Sequence, residues 1–131
     1  MHIKRFSYRH IGHLTGWLNI RSLDPKKVER LPLVGYIVFD ESMAVAVGFL
    51  RRVEGDKFAI ISDVVSNPHA TVRVVDTALA LIYHALTIAA SHANISNIAI
   101  MADTESAKIL ARRLGFVEDP SEIFVKKIQR D

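Results

Sequence analysis

A long, mainly apolar stretch runs from Ala59 to Ile82, and its pattern of residue types changes once along the way. Its first part, residues 59–65, is rich in β-branched residues and is interrupted only by Ser62-Asp63. An Asn-Pro break at residues 67–68 follows, and residues 71–82 continue as a segment rich in alanine, valine and leucine. β-Branched runs favour strands, Asn-Pro favours a turn, and alanine and leucine favour helices. The pattern therefore predicts a strand, a tight loop and a long helix.

The junction between this strand and this helix is the first candidate for a functional site. The first turn of a helix carries backbone N–H groups without partners, together with the positive end of the helix dipole. Such a terminus is well suited to a phosphate group. The pattern thus raises the question of whether this junction binds a phosphate-bearing ligand.

On both sides of this junction the chain alternates between strand and helix patterns. Residues 22–32, which contain two prolines, predict a loop or a short second helix, and residues 54–56 (Glu-Gly-Asp) predict a hairpin connection. Gly115 lies where a glycine commonly closes a helix. The predicted strands cover residues 3–6, 33–39, 43–53, 57–65, 97–101, 116–117 and 123–128. The predicted helices cover residues 10–23, residues 72 to about 92–94, and residues 104–114.

Length and composition limit the class of protein. The chain of 131 residues predicts a single domain, residues 1–131, and has no cysteine for a disulfide or a thiolate metal site. Its first residues contain no apolar run like that of a signal peptide. The longest nearly apolar run, residues 78–90, is shorter than the roughly 20 residues that span a bilayer. We therefore expect a soluble cytoplasmic protein without a membrane partner.

The charge bears on the choice of partner. The net charge is +3 and the sequence pI is about 9.4, with basic residues in short pairs such as Lys26-Lys27 and Arg112-Arg113. This balance suits a phosphate-rich cofactor or a nucleic acid, although the pairs also fit a solvated surface. Aromatic residues are not interleaved with the basic pairs, so the base-stacking pattern of nucleic-acid binders is missing. We therefore do not favour a nucleic-acid partner.

Other kinds of site find little support in the sequence. His10 and His13 lie three residues apart and could share a helix face, but no third metal ligand is placed by the sequence. No Walker loop, metalloprotease motif or Ser-His-Asp spacing is present. We therefore predict no metal site and none of these catalytic classes.

The order of the predicted elements, together with residues 107–116, resembles the GNAT superfamily of N-acetyltransferases. These residues read Ala-Lys-Ile-Leu-Ala-Arg-Arg-Leu-Gly-Phe, similar to the family's alanine, short helix and Leu-Gly-Phe. The resemblance covers nearly the whole chain. It implies an α/β (α+β) fold with a mixed, mostly antiparallel sheet flanked by helices on both faces. It also implies that the central strand parts from its neighbour to admit the pantetheine arm of acetyl-coenzyme A.

The resemblance extends to a degenerate cofactor motif. In the family, a [Gln/Arg]-x-x-Gly-x-[Gly/Ala] motif holds the pyrophosphate, and residues 73–78 give the best register. Arg73 and Ala78 match, whereas Asp76 stands in place of the glycine. Like charges a few ångströms apart cost on the order of several kcal/mol at an effective dielectric near 20. Either the phosphates lie differently here, or acetyl-coenzyme A binding has been lost. The implied cofactor-binding residues are Val64, Val65, Arg73, Val74, Val75, Asp76, Thr77 and Ala78.

The catalytic residues of the family are also only partly matched. Many members place a tyrosine four residues before the glycine of Leu-Gly-Phe, where this chain has Ala111. The nearest alternative acids, Tyr83 and Ser106, do not match the motif. The resemblance places Asp63 beside the acceptor amine, so Asp63 is the candidate catalytic base. The other interpretation is that Ser62 and Asp63 satisfy backbone groups at a bulge.

Two functions of different classes follow. The first is a GNAT-type, acetyl-coenzyme A-dependent N-acyltransferase that acts on an unknown small-molecule or protein amine. The second is a catalytically inactive GNAT-like binding or structural module for a protein or nucleic acid. Ser62-Asp63 and the segment from Thr104 to Gly115 resemble small proteins of this kind in some short-tailed bacteriophages. In either case the long helix from Val72 to Ala90 is apolar on most sides, which predicts a homodimer.

Overall fold

The computed structural model describes residues 1–32, 34–53, 57–102, 105–118 and 123–128. In chain order the strands are β1 (His2–Arg5), β2 (Val34–Asp40), β3 (Met43–Arg52), β4 (Phe58–Ser66), β5 (Asn97–Met101), β6 (Val117–Glu118) and β7 (Ile123–Lys127). The α-helices are α1 (Ile11–Ile20), α2 (Val72–His92) and α3 (Glu105–Arg113), and 3-10 helices span Tyr8–His10 and Pro25–Arg30.

Within the described ranges, the strands form one sheet in the order β1-β2-β3-β4-β5-β7-β6. Neighbouring strands are antiparallel except for β4 and β5, which are parallel. Parallel neighbours need a crossover connection, and α2 supplies it. The predicted mixed, mostly antiparallel sheet is therefore confirmed.

Most predicted element boundaries agree with the structure to within one or two residues. The first helix is an exception, because it ends at Ile20 rather than near residue 23. Ser22 has a φ of 58°, which turns the chain, and the 3-10 helix Pro25–Arg30 then follows within the predicted loop or short helix. The predicted hairpin at residues 54–56, Leu33 at the start of a predicted strand, and Thr104 at the start of the last predicted helix lie outside the described residues.

The helices pack on both faces of the sheet, as predicted. Successive side chains of a strand point to opposite faces, so one strand contributes to both cores. On one face α1 covers a cluster that contains Leu14, Leu18 and Phe49. On the other face α2 and α3 cover a larger cluster that contains Ile82 and Leu110.

The termini of α2 and α3 have clear local causes. Thr71 precedes α2, and its side-chain Oγ1 accepts a hydrogen bond from the Val74 N–H at 3.4 Å. Gly115, with a φ of 89°, closes α3, as its position predicted. The Phe116 N–H then bonds the Ala111 carbonyl at 3.0 Å, the six-to-one bond typical of a helix end closed by glycine.

The long helix α2 is half embedded in the core. Its buried side chains, including Ala78, Ile82 and Leu86, face the sheet, whereas Leu81 and Ile88 are exposed on its outer side. The helix has 21 residues and, by length and composition alone, is also long and apolar enough to cross a membrane. The expectation that no apolar run is long enough to span a bilayer counted only residues 78–90 of this helix. A homodimer formed through the outer side of α2 stays a prediction.

We expect Gly35→Ala to destabilise the fold by about 1–3 kcal/mol through overpacking. Gly35 in β2 pairs with Phe49 in β3, and an added Cβ would overlap the buried Phe49 ring. Urea unfolding measures the loss. Gly16→Ala in α1 is the matched control, because its Cβ would meet no atom within 4 Å and alanine favours a helix. A Gly35→Ala variant as stable as the wild type would contradict the described packing.

Candidate functional site

The parallel strands β4 and β5 part in the middle of the sheet. Their pairing runs from Phe58–Asn97 to Ile61–Ile100 and, within the described residues, goes no further. Beyond the last pair β4 continues to Ser66, whereas β5 ends at Met101. The cleft between the parting strands is the centre of the candidate site.

A bulge in β4 lies where the two strands part. Val47 of β3 pairs with Val65 and Phe49 pairs with Ser62, so Gly48 stands opposite two residues. Asp63 is one of these two and has a φ of 53°, a conformation that aspartate tolerates better than most residues. Because a bulge bends and twists its strand, it accounts for the departure of β4 from β5. A bulge, as in the second interpretation of Ser62 and Asp63 given from the sequence, is therefore present.

The parting strands leave a cavity of about 470 Å³ on the side of α1, named here the α1-side cavity. Its lining combines residues from α1, the following turn, β4, β5 and α2. Those in the described part of the chain are Leu14, Leu18, Leu23, Lys27, Leu31, Ile60, Ile61, Ser62, Asp63, Val64, Val65, Tyr83, Ile100 and Met101.

A second cavity of about 380 Å³, the α2-side cavity, lies between the start of α2, α3 and the β4–α2 loop. Asn67 holds this loop, because its Nδ2 donates to the Ala44 carbonyl at 2.9 Å and its Oδ1 accepts from the His69 N–H at 2.9 Å. The described residues that line this cavity are Arg21, Ser66, Asn67, Pro68, Ala70, Val72, Val75, Asp76, Leu79, Tyr83, Ala107 and Leu110.

Asp63, the predicted base, faces the α1-side cavity. Its side chain is 22% exposed, and its Oδ2 lies 3.6 Å from Nη2 of Arg51. The same Oδ2 accepts a hydrogen bond from Ser62 Oγ at 3.0 Å. Within the described part of the chain no hydrogen bond reaches Oδ1, so one carboxylate oxygen has no hydrogen-bond partner in the protein.

Tyr83 on α2 lines both cavities and is 6% exposed. No described residue forms a hydrogen bond with its hydroxyl. The hydroxyl oxygen is nevertheless not completely buried, because no completely buried side-chain oxygen or nitrogen in the described part of the chain lacks a partner. The hydroxyl oxygen therefore retains some solvent-accessible surface. Burial, with a smaller contribution from the Asp76 charge, raises the pKa of Tyr83 to about 12. The side chain consequently remains a neutral hydrogen-bond donor over the ordinary pH range.

The predicted cofactor residues divide between the two sides of the cleft. Val64 and Val65 line the α1-side cavity beside Asp63. Residues 73–78 lie within the first two turns of α2 rather than in a loop before it. The Val75 N–H bonds the Thr71 carbonyl at 3.0 Å, so the helical bonds begin there. The N–H groups of Val72 and Arg73 precede this first bond and lie at the positive end of the helix.

The side chains of this segment point in different directions. Ala78 is fully buried in the core and Thr77 is exposed, whereas Val75 and Asp76 line the α2-side cavity. Asp76 is the fifth residue of α2 and lies beyond the first turn. Asp76 nevertheless lines this cavity, and its negative charge is expected to weaken the binding of an anion there.

Two arginines share a neighbouring surface pocket with Asp76. Arg73 from α2 and Arg113 from α3 line this pocket, which also includes Val72. Two positive charges against one negative charge leave the pocket with a net positive charge. The two arginines would therefore attract an anion near the start of α2, which Asp76 alone would repel.

Arg21 at the end of α1 is a site residue that the sequence did not identify as a cofactor contact. Its Nη2 donates to the Ser66 carbonyl at 2.9 Å and to Ser66 Oγ at 2.8 Å, and its Nε donates to the same carbonyl at 3.2 Å. These bonds tie α1 to the end of β4 at the edge of the α2-side cavity. No local signal could reveal this link, because 45 residues separate the partners.

The remaining candidates are placed as follows. Ala111 is fully buried on the core-facing side of α3 and offers no acidic group, and the side chain of Ser106 lies outside the described part of the structure. His10 accepts a hydrogen bond from the Ser7 N–H at Nδ1, 3.0 Å away, and burial lowers its pKa. Among the described residues, no group of three potential metal ligands is present.

Comparison with solved structures identifies the fold. No protein-family model and no curated protein sequence matches the chain. Aminoglycoside 6'-acetyltransferase type Ii matches with a TM-score of 0.80 and 13% identity, over 100% of this chain and 99% of that one. The ribosomal-protein-S18-alanine N-acetyltransferase from Escherichia coli matches with a TM-score of 0.74 and 11% identity, over 99% and 95%.

A longer structure matches only in part. N-acetylglutamate synthase from Neisseria gonorrhoeae, solved with coenzyme A and L-arginine, matches with a TM-score of 0.74 and 16% identity over 98% of this chain. The chain spans about a third of that synthase, 33% of its length. Identities this low establish architecture alone. In its strand order, its parted central strands and its helices on both faces, the chain has the fold of the GNAT superfamily of acetyltransferases.

Proposed function

We propose that the protein is an acetyl-coenzyme A-dependent N-acyltransferase acting on an amine. The observation that carries this proposal is the parting of β4 and β5 after the Ile61–Ile100 pair. The parted strands leave space on both sides of the sheet, and Tyr83 lines the cavity on each side. A donor on the α2 side and an acceptor on the α1 side could therefore meet at one point.

The residues on the α2 side suit a donor that carries phosphate groups. Arg73 and Arg113 supply positive charge, and the first N–H groups of α2 supply hydrogen-bond donors. On the opposite side of the cleft, in the α1-side cavity, Val64 and Val65 supply an apolar wall for an arm that passes between the strands. When bound, acetyl-coenzyme A would supply an acetyl group activated as a thioester.

The chain's own groups on the α1 side suit proton removal and charge stabilisation. Asp63 has a free carboxylate oxygen that can accept a proton from an amine. Tyr83, with a pKa of about 12, is too weak an acid to protonate a thiolate whose thiol has an ordinary pKa of about 8.5. It is instead suited to donate a hydrogen bond to an oxygen that gains negative charge.

Calorimetry and thermal shift with acetyl-coenzyme A test the proposal. We expect the wild type to bind, with a stabilisation of about 2.7 kcal/mol at 100 times the dissociation constant. Asp76→Asn should tighten binding about tenfold, or 1.4 kcal/mol, because it removes a negative charge from the cavity wall. Glu105→Gln, an exposed carboxylate outside the three described pockets, is the matched control and should leave affinity unchanged.

The same experiment decides the second candidate function, a catalytically inactive binding module. The observation that favours this candidate is the Asp76 carboxylate in the α2-side cavity, together with Ala111 in place of the usual tyrosine. The transferase would be rejected if both the wild type and Asp76→Asn show no binding heat and no thermal shift at millimolar acetyl-coenzyme A. The partner would then be a protein or a nucleic acid. A protein partner could be a second copy of this chain that packs on the exposed Leu81 and Ile88. Binding of a nucleic acid must weaken steeply as the salt concentration rises.

A further inference from the structure

The described wall of the α1-side cavity is dominated by aliphatic side chains. Leu14 and Leu18 of α1 are buried beneath it, Leu23 and Leu31 follow α1 in the chain, and Met101 lies at the end of β5. The polar side chains in the described wall are few, namely Lys27, Ser62, Asp63 and Tyr83.

We propose that this cavity takes a small primary amine with an apolar alkyl or arylalkyl substituent. The role of this amine as acetyl acceptor rests on the transferase function proposed above, whereas the binding of the amine to the cavity does not depend on that function. Asp63 supplies one carboxylate for one ammonium group, and the leucines supply an apolar surface for the substituent.

The same wall disfavours acceptors with several charges or hydroxyl groups. A polyamine or an aminosugar would bring further polar groups against leucine side chains, where they would lose water without gaining a partner. Lys27 would in addition repel a second ammonium group. The cavity therefore discriminates by the number of polar groups as well as by the presence of an amine.

The size of the cavity gives a quantitative expectation. Full burial of a methylene group contributes about 0.8 kcal/mol, which corresponds to about fourfold in affinity. With about 470 Å³ available, the affinity for butylamine, hexylamine and octylamine should rise by two- to fourfold per methylene. A polar site would show no such dependence on chain length.

Calorimetry of these alkylamines with the full chain, without acetyl-coenzyme A, tests the inference directly. Leu23→Glu places a charge at the rim, where Leu23 is 41% exposed, so the variant should fold. It should weaken hexylamine binding at least fivefold, flatten the chain-length dependence and improve spermidine binding. Ile20→Glu is the matched control, because Ile20 is 56% exposed and lies outside the described cavity wall.

The requirement for the amine is tested separately. Hexanol has the same alkyl chain without the charge, so Asp63→Asn should weaken the binding of hexylamine while leaving that of hexanol unchanged. Equal binding of spermidine and hexylamine by the wild type, or affinities independent of chain length, would overturn the inference. Tighter binding of a peptide with an apolar N-terminal residue than of octylamine would also overturn it, in favour of a protein acceptor.

The outcomes for the cavity and for the transferase are distinguishable. Chain-length-dependent amine binding without acetyl-coenzyme A binding would support the cavity inference and reject the transferase. Acetyl-coenzyme A binding with faster acetyl transfer to spermidine than to hexylamine would support the transferase and overturn the cavity inference.

Discussion

Tyr83→Phe is expected to lower the kcat of acetyl transfer to hexylamine by about 10²–10³. This is the usual loss when one hydrogen-bond donor is removed from a site where charge develops. The phenol is only 6% exposed, so water replaces its hydroxyl poorly. The release of free thiol measures the rate. Stability should change little, because no described residue hydrogen-bonds this hydroxyl.

The pH dependence separates a hydrogen-bond donor from a proton donor. With a pKa of about 12, Tyr83 keeps its proton throughout the range in which the protein can be assayed. The profiles of wild type and Tyr83→Phe should therefore have the same shape below about pH 10 and differ only in height. Tyr36→Phe, another partly buried tyrosine and outside both described cavities, is the control. A Tyr83→Phe variant with the wild-type kcat would exclude this role.

Asp63→Asn is expected to lower kcat/KM for hexylamine by about 10²–10⁴ near neutral pH, the contribution typical of a general base. An alkylamine with a pKa near that of lysine, about 10.4, is mostly protonated at pH 7 and must lose a proton before it reacts. The defect should shrink as pH rises toward 10, because the free amine then becomes abundant. Rates measured from pH 7 to 10 check this convergence.

The choice of variant separates chemistry from backbone geometry at the bulge. Asparagine tolerates the φ of 53° found at Asp63, and glycine adopts it without strain. Asp63→Asn and Asp63→Gly should therefore both fold and both lose activity if the carboxylate matters. Wild-type activity in either variant, or a loss of activity that does not depend on pH, would instead assign Asp63 to the bulge alone.

Most of the secondary structure was predictable because its causes are local. The β-branched run before Asn67 and the alanine-rich segment after Thr71 became β4 and α2. Gly115 closed α3 because its φ of 89° is favourable only for glycine. The first helix was predicted too long because its apolar spacing continues past Ile20, whereas the turn at Ser22 is set by backbone geometry.

The site was predictable only in part. Asp63 and Asp76 were identified because a carboxylate in an apolar strand, or in place of a family glycine, is visible in the sequence. From the sequence Tyr83 was only an alternative acid that did not match the family motif, because on α2 it resembles any other core aromatic residue. Only the packed structure shows that its side chain lines two cavities while its hydroxyl has no described partner.

By itself the sequence determined which segments form strands and helices, and that Ala111 cannot act as an acid. These properties follow from side-chain chemistry and from spacing along a few turns. The tertiary structure decided that β4 leaves β5 after Ile61, and that Asp63 and Tyr83 line one cavity with the leucines around α1. Such groupings depend on strand pairing and packing between distant segments, which local periodicity does not encode.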